Sequence, residues 1–215
     1  MSSAYSPLPD RRGAGNRFGD PGVAGLKILV LLVGLMWASE FLDTFLGGAL
    51  DGFGIQARDS DGLIGIAAAP FLHAGFGHLI SNTIPLLMLG AIIAASGAAH
   101  LLGVTVVVAL VSGIGTWLTS PPGSITVGAS GIVFGYATYL IVRGIFNRSL
   151  GQLLIGVLVV VFWGGALLSG LLPQAGISWQ GHFFGAVGGL ISAWLLSGSP
   201  RRRTTSSRST SWRAS

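Results

Sequence analysis

The sequence contains no cysteine, which excludes a disulfide, a thiolate nucleophile and a thiolate metal site. Charge is nearly as scarce. Asp, Glu, Lys and Arg make up 9% of the 215 residues, where a soluble domain carries roughly a quarter. None of the seven acids lies beyond Asp61, so the later part of the chain works without a side-chain carboxylate. There is no HExxH, and four histidines without neighbouring acids make a poor metal set. Phosphate-binding loops and nucleic-acid motifs are also missing. Neither a cofactor, a metal nor a nucleic-acid partner is expected.

Apolar residues fill the space that charge leaves. They make up 51% of the chain, with 35 glycines among the rest, and mean hydropathy is +0.73. This is the composition of an integral membrane protein whose helices pack closely. At roughly 20 residues per span the chain has room for about six. Apolar runs place them at about 23–46, 78–96, 101–118, 130–145, 150–168 and 181–196. The expected fold class is therefore an all-α membrane protein, a six-helix bundle over residues 23–197. Residues 1–22 and 198–215 are Ser-, Pro- and Arg-rich tails expected to be disordered. Arg11 and Arg12 ahead of the first span read as an orientation signal rather than a cleaved leader, because the apolar segment outruns signal-peptide length. Residues 47–76 form a long first connection, and its stretch 63–71 is apolar enough to be partly embedded. Glu40 and Asp43, three residues apart on one face of the first span, are expected near its outer end, within reach of that loop.

Six spans put both termini on one side. Arg11, Arg12, Arg17, Lys27, Arg143, Arg148, Arg201, Arg202, Arg203, Arg208 and Arg213 fall on that side, with Arg58 alone opposite. The positive-inside rule makes the terminal side cytoplasmic. Eleven arginines to one lysine fit a GC-rich bacterial genome, and hence a bacterial plasma membrane. The basic tails suit anionic lipid headgroups. Spans two, four and six then all begin at the outer side, which brings His78 and Asn82, Ser130, and His182 to similar depth.

Ser130 sits in Gly128-Ala129-Ser130-Gly131 at the start of the fourth span. A helix start offers unpaired N–H groups and the positive end of a dipole to a developing oxyanion. The same small residues can equally serve only to let helices approach. His78 and Asn82, four apart, share a face. Gly185 and Gly189 follow His182 on its own face and would let the sixth span press on Gly131 and Gly135 of the fourth. A serine hydroxyl needs a base, and His182 is the only histidine after residue 100. If Ser130 is a nucleophile, a Ser-His dyad follows, with the imidazole held by packing against aromatic neighbours such as Tyr136 and Phe183. His100, between spans two and three, reads as a solvated turn residue.

His73-x4-His78-x3-Asn82, Gly128-Ala129-Ser130-Gly131 and Gly181-His182-x2-Gly185-x3-Gly189, in this order on six spans, resemble the rhomboid intramembrane serine proteases over about residues 24–197. The resemblance implies a six-helix rhomboid-like bundle with Ser130 as nucleophile, His182 as general base, and His78 and Asn82 as oxyanion and positioning groups. Gly128 would help the preceding segment approach the substrate backbone. It implies cofactor-free hydrolysis of peptide bonds in or next to transmembrane segments of membrane-protein substrates. Many members carry Trp-Arg in the first loop. Here Arg58 follows Ala57, so the packing of that loop does not follow from the resemblance. A non-catalytic relative that binds membrane clients is the main alternative reading, and a small transporter a further one. Neither the substrate nor the oligomeric state is written in the sequence.

Overall fold

A computed structural model describes residues 20–196. Residues 1–19, with Arg11 and Arg12, and residues 197–215 lie outside the described residues, and with them almost all of both expected tails. The long helices are α1 (Pro21–Phe45), α3 (Phe76–Ala94), α4 (Ala98–Thr119), α5 (Ser130–Phe146), α6 (Leu150–Gly170) and α7 (Trp179–Leu196), with the single turn α2 (Gly65–Ala68) inside the first loop. The first helix begins earlier than the apolar run implies. Asp20 caps it by accepting the Gly22 N–H at 2.9 Å, and Pro21 occupies the first turn, where its missing N–H costs nothing.

Four helices, α1, α3, α4 and α6, are long and apolar enough to cross a membrane by length and composition alone. At 17 residues α5 is shorter, about 25 Å at 1.5 Å per residue, at the lower limit for a helix that crosses a hydrocarbon core of about 30 Å. Contacts at the helix ends show α1 antiparallel to α3 and α7 antiparallel to α4. The start of α1 meets the end of α3, where a Cβ on Gly22 would lie 3.6 Å from the Ala95 carbonyl. The end of α7 reaches the start of α4, with Leu196 3.6 Å from a Cβ on Gly103. At the opposite end Trp37 and Phe41 of α1 pack on Phe76 at the start of α3. The core between is apolar: Leu29, Met36, Leu79, Leu89, Ile93, Leu101, Val104, Val108 and Leu140 are all buried.

Glycine determines how closely α4, α5 and α7 pack. A Cβ on Gly185 would sit 2.1 Å from the Gly131 carbonyl oxygen, and one on Gly189 2.2 Å from that of Gly135. Two helix backbones therefore touch along α5 and α7 with no side chain between them, a separation only glycine permits. On the other flank a Cβ on Gly188 would fall 2.9 Å from the Val108 Cα of α4.

The first loop is structured rather than open. Short 3-10 turns and α2 carry it back across the bundle, and Ile55–Gln56 pairs antiparallel with Ile125–Thr126 of the segment that leads to Ser130. Arg58 anchors it without a tryptophan beside it. Its N–H donates to the Trp117 carbonyl, its guanidinium to the Ser120 carbonyl at 3.1 Å, and the Trp117 indole N–H donates back to the Asp59 backbone carbonyl at 2.7 Å. Leu63 and Ile64 point outward, consistent with a partly embedded loop. Asp43 accepts the Leu50 N–H at 2.6 Å, so this acid does fasten the loop to α1. Burial, followed by the nearby Asp43, raises the Asp51 carboxyl above its ordinary value. The loop ends at His73, 1% exposed, with neither ring nitrogen hydrogen-bonded. Burial first, and then the neighbouring His78, push it down to about 4.

Gly189→Ala should force α5 and α7 apart and lower stability in detergent by about 1–3 kcal/mol. Gly165→Ala, at a helical glycine with open space around it, should be neutral or stabilising, and thermal unfolding of both variants checks this. His73 gives a pH signature. Between its ordinary 6.5 and about 4 the unfolded chain binds a proton that the folded one refuses, so stability is full above that window and falls as pH drops through it. His73→Phe should flatten this part of the stability-against-pH curve.

Candidate active site

Ser130 is the first residue of α5, preceded by Ala129 at the N-cap with no side-chain cap. The N–H groups of Ile132 and Val133 both turn back to the Ala129 carbonyl, and those of Ser130 and Gly131 have no backbone acceptor of their own. Two donors at the positive end of the helix thus remain beside the serine hydroxyl. Gly128 shapes the approach. Its φ is +112°, which disfavours any other residue, and a Cβ there would lie 2.7 Å from the His78 ring and 3.7 Å from Asn82 Nδ2. Its N–H donates to the Ala69 carbonyl at 2.8 Å, tying the segment to the first loop.

His182 lies in the first turn of α7, which Gly185 and Gly189 hold against α5. Its Nε2 is 2.9 Å from Ser130 Oγ and its Nδ1 2.7 Å from the Gly170 carbonyl oxygen. A carbonyl only accepts, so Nδ1 carries the proton. In the neutral ring Nε2 then accepts from the serine hydroxyl. The ring stacks on Phe134 at 4.1 Å between centroids and 3° between planes.

The expected aromatic neighbours are not the ones that hold the imidazole. Tyr136 is buried on another face, hydrogen-bonded to Thr105, and Phe183 is 46% exposed and packs on Phe184. Phe134 falls one turn after Ser130, hence on the same face of α5, a spacing from which it could have been found. Gly170 has no comparable signal. It must be glycine because a Cβ there would meet Phe134 Cζ at 2.5 Å and His182 Nδ1 at 3.0 Å. His100 also differs from its reading as a solvated turn residue: it lies in the first turn of α4, half-buried, with Nε2 bonded to the Tyr139 hydroxyl.

His78 and Asn82 lie on one face of α3 against Gly128. Asn82 is 3% exposed and donates one amide hydrogen to the His78 carbonyl at 3.0 Å, which orients the amide and leaves its second hydrogen for another acceptor. His78 is half-buried, and His73 meets its ring edge to face at 5.1 Å. All five sequence-predicted site residues, Ser130, His182, His78, Asn82 and Gly128, are therefore neighbours at one end of the bundle. Open space adjoins them on two sides. A cavity of about 310 Å³ lies between α3, α5, α6 and α7, lined by Ser130, His182, Ser81, Pro85 and Trp163. A second, of about 330 Å³, is lined by His78, Ser120, Ser124, Ser178 and Gln180. Among the described residues no group of three or more histidines and acids could hold a metal.

Residues 60–199 match the model of the rhomboid domain. An uncharacterized protein of Mycobacterium leprae is 41% identical over 191 residues, which cover 85% of this chain and 74% of that protein. One from Mycobacterium tuberculosis is 39% identical over 189 residues, covering 84% and 78%. The Bacillus subtilis protein named "Putative rhomboid protease YdcA" is 31% identical over 134 residues, covering 61% and 66%. With its apolar helices and this domain match, the chain is a multi-pass integral membrane protein that belongs to the rhomboid family.

Proposed function

We propose that the protein is an intramembrane serine endopeptidase that cleaves peptide bonds in or next to transmembrane segments of membrane-protein substrates. The observation that carries this reading is the 2.9 Å contact between His182 Nε2 and Ser130 Oγ, with Nδ1 committed to Gly170. A rhomboid-family chain without catalysis would have no need to keep a hydroxyl on an imidazole whose tautomer is fixed to receive its proton.

In this mechanism Oγ attacks the scissile carbonyl carbon as its proton passes to Nε2. The carbonyl π electrons move onto oxygen, where the Ser130 N–H, the free Asn82 amide hydrogen and His78 meet the charge. The intermediate collapses with loss of the amine, which takes the proton from Nε2, and leaves an acyl ester on Ser130. Water then adds to that ester with His182 again as base, which frees the acid and the serine. The polar lining of the cavity beside His78 favours water entry. The substrate segment must leave helical form, because a helical peptide bond is shielded by its neighbours, so glycines near the scissile bond favour cleavage. The distribution of basic residues supports cytoplasmic termini in a bacterial plasma membrane, with the site towards the outer leaflet.

Purified protein with a transmembrane reporter peptide tests the assignment. Ser130→Ala and His182→Ala should each abolish cleavage, and Asn82→Ala should reduce kcat by about 100 to 1,000-fold. A fluorophosphonate should label Ser130 in the parent alone. Cleavage undiminished in both dyad variants would reject the protease. Trp163 lines the cavity on α6, a helix with few buried side chains, and Phe162 beside it is 73% exposed. If α6 yields to admit substrate, Phe162→Ala and Trp163→Ala should retain or raise the cleavage rate, and an inactive folded variant would argue against gating there.

A further inference from the structure

At the end of the bundle remote from the dyad, Arg143 in the last turn of α5 is only 6% exposed, and its Nε is buried without a hydrogen-bond partner. Its Cζ lies 5.6 Å from the centroid of the Tyr139 ring, whose hydroxyl is bonded to His100 Nε2. His100 belongs to the first turn of α4, which starts at Gly97 with no side-chain cap and leaves the N–H groups of Ala98, Ala99 and His100 without backbone acceptors. No acid follows Asp61 in the sequence, and Asp20 is committed to its own cap. A permanent cation and an uncapped helix start thus lie at the same end of the bundle, and among the described residues no carboxylate answers either. The C-terminal dipole of α5 favours positive charge there but gives Nε nothing to bond. A buried guanidinium nitrogen left unpartnered carries the full cost of its lost hydration.

We propose that Arg143, with the uncapped first turn of α4, holds the phosphate of an anionic membrane lipid. A tetrahedral oxyanion suits both kinds of donor found at this end, a forked guanidinium and unpaired helix-start N–H groups. The lipid source follows from what surrounds these groups: Leu102, Ile145, Phe146 and Leu150 are exposed apolar side chains near the same helix ends, where acyl chains attached to that phosphate would lie. Tyr139 and His100 are positioning residues that fix the ring over which the guanidinium rests. The inference is independent of the hydrolytic reading, since none of these residues belongs to the dyad end.

The full chain, purified in detergent, is titrated with phosphatidylglycerol, phosphatidylcholine or inorganic phosphate and followed by native mass spectrometry and thermal unfolding. Wild type should retain phosphatidylglycerol at least tenfold better than phosphatidylcholine and melt at higher temperature with it. Arg143→Gln should lose that preference, whereas Arg148→Gln, at an exposed neighbour, should keep it. If Arg143→Gln does not fold, Arg143→Lys keeps the charge but removes the fork, and should weaken phosphatidylglycerol retention several-fold. Displacement of the lipid by millimolar inorganic phosphate would overturn the lipid source in favour of a free anion. Equal retention by wild type and both Arg143 variants would overturn the site itself.

Discussion

Everything at the dyad depends on the backbone contact between α5 and α7. Ser130 and His182 come from helices 52 residues apart in sequence, and a hydrogen bond between short side chains requires their helix axes to be unusually close. Gly131 against Gly185, and Gly135 against Gly189, supply that approach through two turns. Lipid offers no hydrophobic force to drive helices together, so close van der Waals packing and interhelical hydrogen bonds must do it. The bond from Ser112 on α4 to the Gly181 carbonyl of α7, 2.8 Å and buried, adds a third helix to the clamp immediately before His182.

A membrane interior penalises each polar group without a partner, which explains how the rest of the chain is arranged. Most polar side chains on the helices are satisfied locally. Thr83, Thr105, Thr119 and Ser192 each donate to a carbonyl four residues earlier. Against that background the groups left with spare capacity stand out: the N–H groups at the head of α5, the second Asn82 hydrogen, and Ser130 itself. They gather beside the cavity that Ser130 and His182 line.

Much of this was legible in the sequence because membrane helices obey simple periodicities. Six apolar runs fixed the spans to within a few residues, and the glycine spacing after His182 foretold which helix it would face. What was not legible depends on contacts between segments. Nothing local marks Gly170 as the acceptor for His182, since its role comes from where α6 ends relative to α7. The Arg58 anchorage was hidden for the same reason: its partners, Trp117 and Ser120, lie on α4 and just beyond it, about sixty residues away. His100 was misread because a short connection suggested solvent, whereas α4 starts three residues earlier and turns the imidazole inward onto Tyr139.

The absence of a carboxylate behind His182 is then intelligible as physics. An ionised acid facing Nδ1 would stabilise the imidazolium, but it would have to be desolvated among apolar helices, at a cost of several kcal/mol that one hydrogen bond does not recover. A backbone carbonyl at 2.7 Å sets the same tautomer with no charge to desolvate, and its dipole still favours the proton that arrives during attack. The Phe134 face fixes the remaining freedom, rotation of the ring out of line with Oγ. Tautomer and orientation are thus secured by separate neutral groups. The carbonyl must come from a residue small enough to let both rings close over it, which is why α6 ends in glycine.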